Sequence, residues 1–124
     1  MPQAKLFLLL GAISGFLGVL AGAFGGHLLK TKLSAEMFSI FEVGVRYQMY
    51  HVFALLAVGL LLLQIPSSKL VISGMCFAFG TLLFSGSLYA LALTGVKILG
   101  MITPCGGLLF LAGWLFLALS LKMN

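Results

Sequence analysis

Four stretches of this chain contain no charged residue, and they dictate what it can fold into. They are Leu6–Leu29 (24 residues), Tyr47–Ser68 (22), Leu70–Val96 (27) and Ile98–Leu121 (24). A helix rising ~1.5 Å per residue needs roughly 20 residues to cross ~30 Å of hydrocarbon, so each stretch can span a bilayer. Charged residues make up 7% of the 124 positions, against about 25% in soluble domains. That excludes a water-soluble globule, and too little chain remains for an ATPase module or a nucleic-acid-binding domain. The predicted fold class is an all-α membrane protein, a four-transmembrane-helix antiparallel bundle. It forms a single integral membrane domain over residues 1–124, with helices over about 6–29, 46–65, 70–94 and 98–121. A short interfacial helix over about 34–45 lies between the first two.

The net charge of +5 does not point to nucleic acid. The cations Lys5, Lys30, Lys32, Arg46, Lys69, Lys97 and Lys122 stand singly along the chain, mostly beside the apolar stretches, where long side chains snorkel to lipid headgroups. Their distribution between the two faces is balanced, which leaves orientation open. Ala21-Gly22-Ala23 resembles a signal-peptide cleavage site, but the apolar run continues past it to Leu29, so a retained first helix is expected. Cys76 and Cys105 begin successive antiparallel spans, so they lie at opposite faces, too far apart for a disulfide.

The first span carries Gly11, Gly15, Gly18, Gly22 and Gly25 in steps of four, three, four and three. At helical periodicity these form one stripe without side chains. Such stripes let helix backbones approach in lipid, where apolar burial gives no drive for association. The first helix is therefore expected to be the packing spine. A weaker small-residue row, Gly74, Ala78, Thr81 and Ser85, marks one face of the third. In the segment before the second span, Ser34 is a candidate cap and Glu42 precedes Arg46 at the favourable i, i+4 spacing. That segment should run with little interruption into the second crossing.

Placed by depth, the unusual polar residues gather on one side. From the face bearing the first and third loops, His27 lies about 3 Å deep and His51, Tyr89 and Thr103 about 7.5 Å. Arg46, Tyr47, Gln48 and Ser85 share that half. Unpaired polar groups at membrane depth cost several kcal/mol each, and ionisable ones mark functional sites by default. Tyr47 and His51, like Ser85 and Tyr89, are i, i+4 neighbours, and both pairs can face one cavity. The candidate ligand-binding set is His27, Arg46, Tyr47, Gln48, His51, Ser85, Tyr89 and Thr103. The competing reading is a hydrogen-bond network that only holds helices together.

Several of these residues also carry a family resemblance. Gly22-Ala23-Phe24-Gly25-Gly26-His27, Arg46-Tyr47-Gln48-Met49-Tyr50-His51, Phe84-Ser85-Gly86-Ser87-Leu88-Tyr89 with Ala92-Leu93-Thr94-Gly95, and Ile102-Thr103-Pro104-Cys105-Gly106-Gly107 through Gly113-Trp114 occur in this order. In these motifs the chain resembles the small bacterial inner-membrane proteins catalogued as domain of unknown function 423, which are similar to animal transmembrane protein 256. One departure is Cys105, where the family more often has an aliphatic side chain. The resemblance implies a four-helix inner-membrane protein and brings no established activity.

Two functions compete. One is a small binding or transport protein whose polar pocket takes a lipid headgroup, a small solute or an ion. The other is a scaffold or accessory subunit that uses the glycine stripe to pack on a second copy or on another membrane protein. Catalysis is disfavoured, because no Gly-x-Ser-x-Gly elbow, His-Glu-x-x-His motif or carboxylate within a span accompanies the histidines. His27 and His51 at similar depth have the outline of axial haem ligands, which a Soret band in the purified protein would reveal. No cofactor and no metal are expected, and the lipid bilayer is the one partner the composition implies.

Overall fold

The computed structural model describes residues 2–122. Four helices dominate it: α1 (Pro2–Leu29), α2 (Ala35–Gln64), α3 (Ser68–Thr94) and α4 (Thr103–Ser120), the last preceded by a 3-10 turn over Lys97–Met101. Including that turn, each is long and apolar enough to cross a membrane.

Local chemistry fixes the helix ends. The Ser34 side chain accepts the Met37 N–H at 3.2 Å and so starts α2; Ser67 does the same for α3 through Leu70 N–H at 3.3 Å. Pro66 follows the end of α2, where a residue without an N–H cannot extend the helix. Gly95 closes α3 at φ 73°, the left-handed conformation that favours glycine. Pro104 sits in the first turn of α4, where no intrahelical donor is lost. Residues 34–45 do not form a separate interfacial helix. With no breaker between Ala35 and Gln64 they are the opening turns of α2, which passes Arg46 without a break.

The helices pack in the order α1, α2, α3, α4, and the spine differs from the expected one. α2 and α3 occupy the centre; α1 lies against α2 and α4 against α3, with α1 barely touching α3. In α1 only Ala4, Phe7, Gly11 and Gly18 are buried, and in α4 only Gly106, Phe110 and Gly113. The glycine stripe does face a neighbour. A Cβ on Gly11 would sit 2.8 Å from Leu56, on Gly15 3.3 Å from Val52, on Gly22 3.0 Å from Val45 and on Gly25 3.3 Å from Phe41. Gly18 lies over Met49 and Gln48. A stripe on one helix can hold one neighbour, and here that neighbour is α2, so α1 is peripheral. Within α1, a π-helical turn runs from Leu20 to Gly25, the wide turn that typically appears as a local bulge in a longer helix.

Elsewhere aromatic rings fill the space over glycines on the facing helix. Phe7 lies over Gly74, Phe110 over Gly80, Phe84 over Gly106, Phe77 over Gly113 and Tyr89 over Gly44. The buried apolar core, with Ala4, Phe7, Leu55, Val58, Leu62, Leu70, Phe77 and Phe110, sits toward the start of α1 and the end of α2. Toward the first and third loops, polar contacts take its place.

Candidate functional site

Gln48 is the hub of the polar half. It is buried on α2, and its Nε2 donates to the Ser14 carbonyl of α1 at 2.8 Å and meets Ser14 Oγ at 3.2 Å. Its Oε1 accepts the Tyr89 hydroxyl of α3 at 2.5 Å. A carbonyl can only accept, so the Ser14 contact fixes which end of the amide points to α1. Beside it, Ser85 Oγ donates to the Gly44 carbonyl at 2.7 Å. That bond needs the close α2–α3 approach that Gly44 allows, since a Cβ there would lie 2.9 Å from the Tyr89 ring. Three helices are thereby tied through one amide and three hydroxyl side chains.

These groups form part of the floor and walls of a groove of about 470 Å³ between α1 and α3. Its other walls are mostly apolar, including Leu10, Ile13, Leu17, Leu55 and Leu82. The small-residue row on α3 accounts for it. At Gly74 the ring of Phe7 fills the gap between α1 and α3. At Ala78, Thr81 and Ser85 no aromatic crosses from α1, and the gap stays open. Gly86 lines the same groove, and a Cβ there would meet nothing within 4 Å.

His51 faces elsewhere. Its Nδ1 lies 2.7 Å from the Tyr47 carbonyl, one turn back, and Trp114 Nε1 of α4 donates to its Nε2 at 3.1 Å. Since the carbonyl only accepts and the indole only donates, the ring carries its single proton on Nδ1. The imidazole is stacked on Phe110 at 3.5 Å between centroids and 4° between planes. Tyr47 packs against Phe84 and Tyr50 at 4.8 and 5.5 Å. Thr103 Oγ1 pairs with Ser87 Oγ at 2.5 Å, joining α4 to α3. Ser73, in the other half, donates to the Gly113 carbonyl at 2.7 Å, again a serine reaching a backbone oxygen that a glycine leaves accessible.

The predicted set is therefore divided. Gln48, Ser85 and Tyr89 share the α1–α3 groove. His51 and Thr103 point into the contacts of α2 and α3 with α4, while Tyr47 is exposed and packs on Tyr50 of α2 and Phe84 of α3, so the two i, i+4 pairs do not meet in one cavity. His27 and Arg46 are exposed on a separate recess at the end of α1. His51 is also deeper than expected. It lies level with Phe77, Phe110 and Trp114, and Phe110 is seven residues, or about 10 Å, along α4 from Thr103. The two histidines are at different levels and both His51 nitrogens are engaged, so the pair does not have the arrangement of axial haem ligands. Among the described residues no three His, Cys, Asp or Glu side chains converge as a metal set would, and no buried polar side-chain atom lacks a partner. Cys76 and Cys105 are free thiols.

Ser14 and Trp114 carry much of this network without having been candidates. Ser14 stands one helical turn from Gly18, so the glycine stripe already pointed it at α2. Trp114 could be recognised only as the donor that a membrane-depth histidine needs.

Four apolar helices, joined by short turns and tied by interhelical hydrogen bonds, define a small polytopic integral membrane protein. The family model described as protein of unknown function, DUF423, matches residues 21–107. The chain is 47% identical over 116 residues to the UPF0382 membrane protein SSP2132 of Staphylococcus saprophyticus, covering 94% of this chain and 96% of that one. It is 38% identical over 117 residues to the UPF0382 membrane protein YwdK of Bacillus subtilis, covering 94% and 95%. It is 40% identical over 111 residues to the UPF0382 inner membrane protein YgdD of Escherichia coli, covering 90% and 85%. The chain belongs to this DUF423, or UPF0382, family of bacterial membrane proteins. No solved structure matches it significantly.

Proposed function

We propose that the protein binds a membrane lipid in the groove between α1 and α3. An apolar chain lies along Leu10, Leu17 and Leu82, and an uncharged polar group of the same molecule meets the floor made by Ser14, Gln48, Ser85 and Tyr89. The observation that carries this reading is a groove of about 470 Å³ whose walls are mostly apolar and whose polar groups lie together, the usual make-up of a small-molecule site. Tyr89 Oη and Ser14 Oγ each have hydrogen-bonding capacity beyond their contacts with Gln48, which a hydroxyl, ester or amide of the lipid takes up. The polar floor lies within the spans, so the ligand arrives sideways through the bilayer. The scaffold reading has less support, because the glycine stripe that motivates it is filled by α2 of the same chain.

Gly86→Phe tests the proposal. The new ring extends into the groove from a position where a Cβ meets nothing, so the fold is spared while the site is blocked. Native mass spectrometry of the gently solubilised protein should show a retained lipid on the wild type and its loss in Gly86→Phe, at unchanged thermal stability. Equal lipid retention by both proteins would refute the reading.

A further inference from the structure

The fold brings basic side chains of two helices together. Lys30 from the end of α1, His27 one turn earlier and Arg46 from α2 line a single recess of about 450 Å³. Its apolar surface is made by Phe38, Phe41 and Val45, and Gly22 and Gly26 keep the α1 side low. A Cβ on Gly26 would meet nothing within 4 Å. Glu42 is the one acidic side chain on the recess, so Lys30 and Arg46 outnumber it. At the opposite end of the bundle, the described residues lining a recess of about 600 Å³ between Gln3 and Pro66 include no charged one. Lys5, Lys69 and Lys97 line neither the cationic recess nor the α1–α3 groove.

We infer that this recess is a second binding site, for a phosphate-bearing anion, with the Arg46 guanidinium and the Lys30 ammonium as its charge partners and Phe38 and Phe41 beneath the adjoining apolar part. Arginine offers phosphate a planar fork of donors, and lysine adds a point charge. The recess lies where two charge-free stretches end, at Leu29 and before Tyr47, the level at which lipid phosphates sit when those stretches cross a bilayer. It is independent of the lipid groove, because Arg46 and Gln48 are two residues apart and so about 200° round α2 from one another. The phosphate belongs either to a lipid headgroup or to a soluble anion, and the chemistry of recognition is the same.

The test uses the full chain in nanodiscs of equal phosphatidylglycerol and phosphatidylcholine, with co-extracted lipid measured by native mass spectrometry. The wild type should retain phosphatidylglycerol in preference. Arg46→Gln should lower that preference about fivefold, the effect of one interfacial cation. Gly26→Phe keeps every charge and fills the recess, and it should lower the preference as much. Lys69→Gln, a cation removed elsewhere, should leave it unchanged. Displacement of the lipid by millimolar inorganic phosphate would identify a soluble phosphate as the ligand; persistence would identify the headgroup. An equal loss in Lys69→Gln and Arg46→Gln, or full preference in Gly26→Phe, would overturn the site in favour of diffuse surface attraction. Gly26→Phe changes no residue of the α1–α3 groove, so the two sites fail or survive separately.

Discussion

Gln48 and His51 differ by three positions on α2, yet their side chains serve different contacts. Gln48 satisfies its amide at both ends, toward Ser14 and Tyr89, so Gln48→Leu leaves the Tyr89 hydroxyl without its partner inside the bundle. The expected cost is about 1–3 kcal/mol, seen as a lower unfolding midpoint in detergent. Tyr89→Phe removes one interhelical bond and should cost less, about 0.6–1.7 kcal/mol. The reverse order would mean that the Gln48–Ser14 contacts contribute nothing. His51 can be checked optically, because Trp114 is the chain's single tryptophan. His51→Leu removes the acceptor of the indole N–H, and the Trp114 emission should move to shorter wavelength; an unmoved spectrum would show that this bond is not made. Helix length alone grouped Gln48 with Ser85 and Tyr89, which line one groove, but put His51 too shallow. The division of the polar residues among neighbours was not legible, because the direction of a side chain depends on which helix packs on which face.

At the scale of the helix, glycine position decides tolerance. Gly106 packs against the backbone of Phe84 as well as its side chain, and backbone cannot rotate away. Gly106→Leu should therefore destabilise the α3–α4 contact by about 1–3 kcal/mol. Gly86→Leu, on the groove, should change stability by about 0.5 kcal/mol or less. Thermal unfolding of the two variants side by side checks the contrast; equal losses would mean that the helix faces are wrongly assigned. Periodicity identified the stripe of Gly11 to Gly25 but overstated its reach, since a stripe reports that one helix comes close and not how many do. The α3 row of Gly74, Ala78, Thr81 and Ser85 was legible as a face. Its consequence was not, because an open groove depends on what α1 fails to place opposite Ala78 and Ser85.

For the whole molecule, the order α1, α2, α3, α4 leaves the outer helices open to lipid and makes a gap where α1 and α3 fall short of touching. The four spans follow directly from the distribution of charge. The gap does not, since it arises from the mismatch between two helix surfaces. Ordinary annular lipid would touch all the exposed apolar surface alike, including Leu108, Leu111 and Leu115 on α4. A lipid held between α1 and α3 would instead spend its time against Leu17, Leu82 and Gly86. Photolabelling with a phospholipid that carries a diazirine midway along one acyl chain, followed by peptide mapping, separates these cases. The groove predicts label concentrated on residues 10–17 and 78–89 and reduced there by Gly86→Phe. Label spread evenly over α4 and the groove, and indifferent to that substitution, would contradict it.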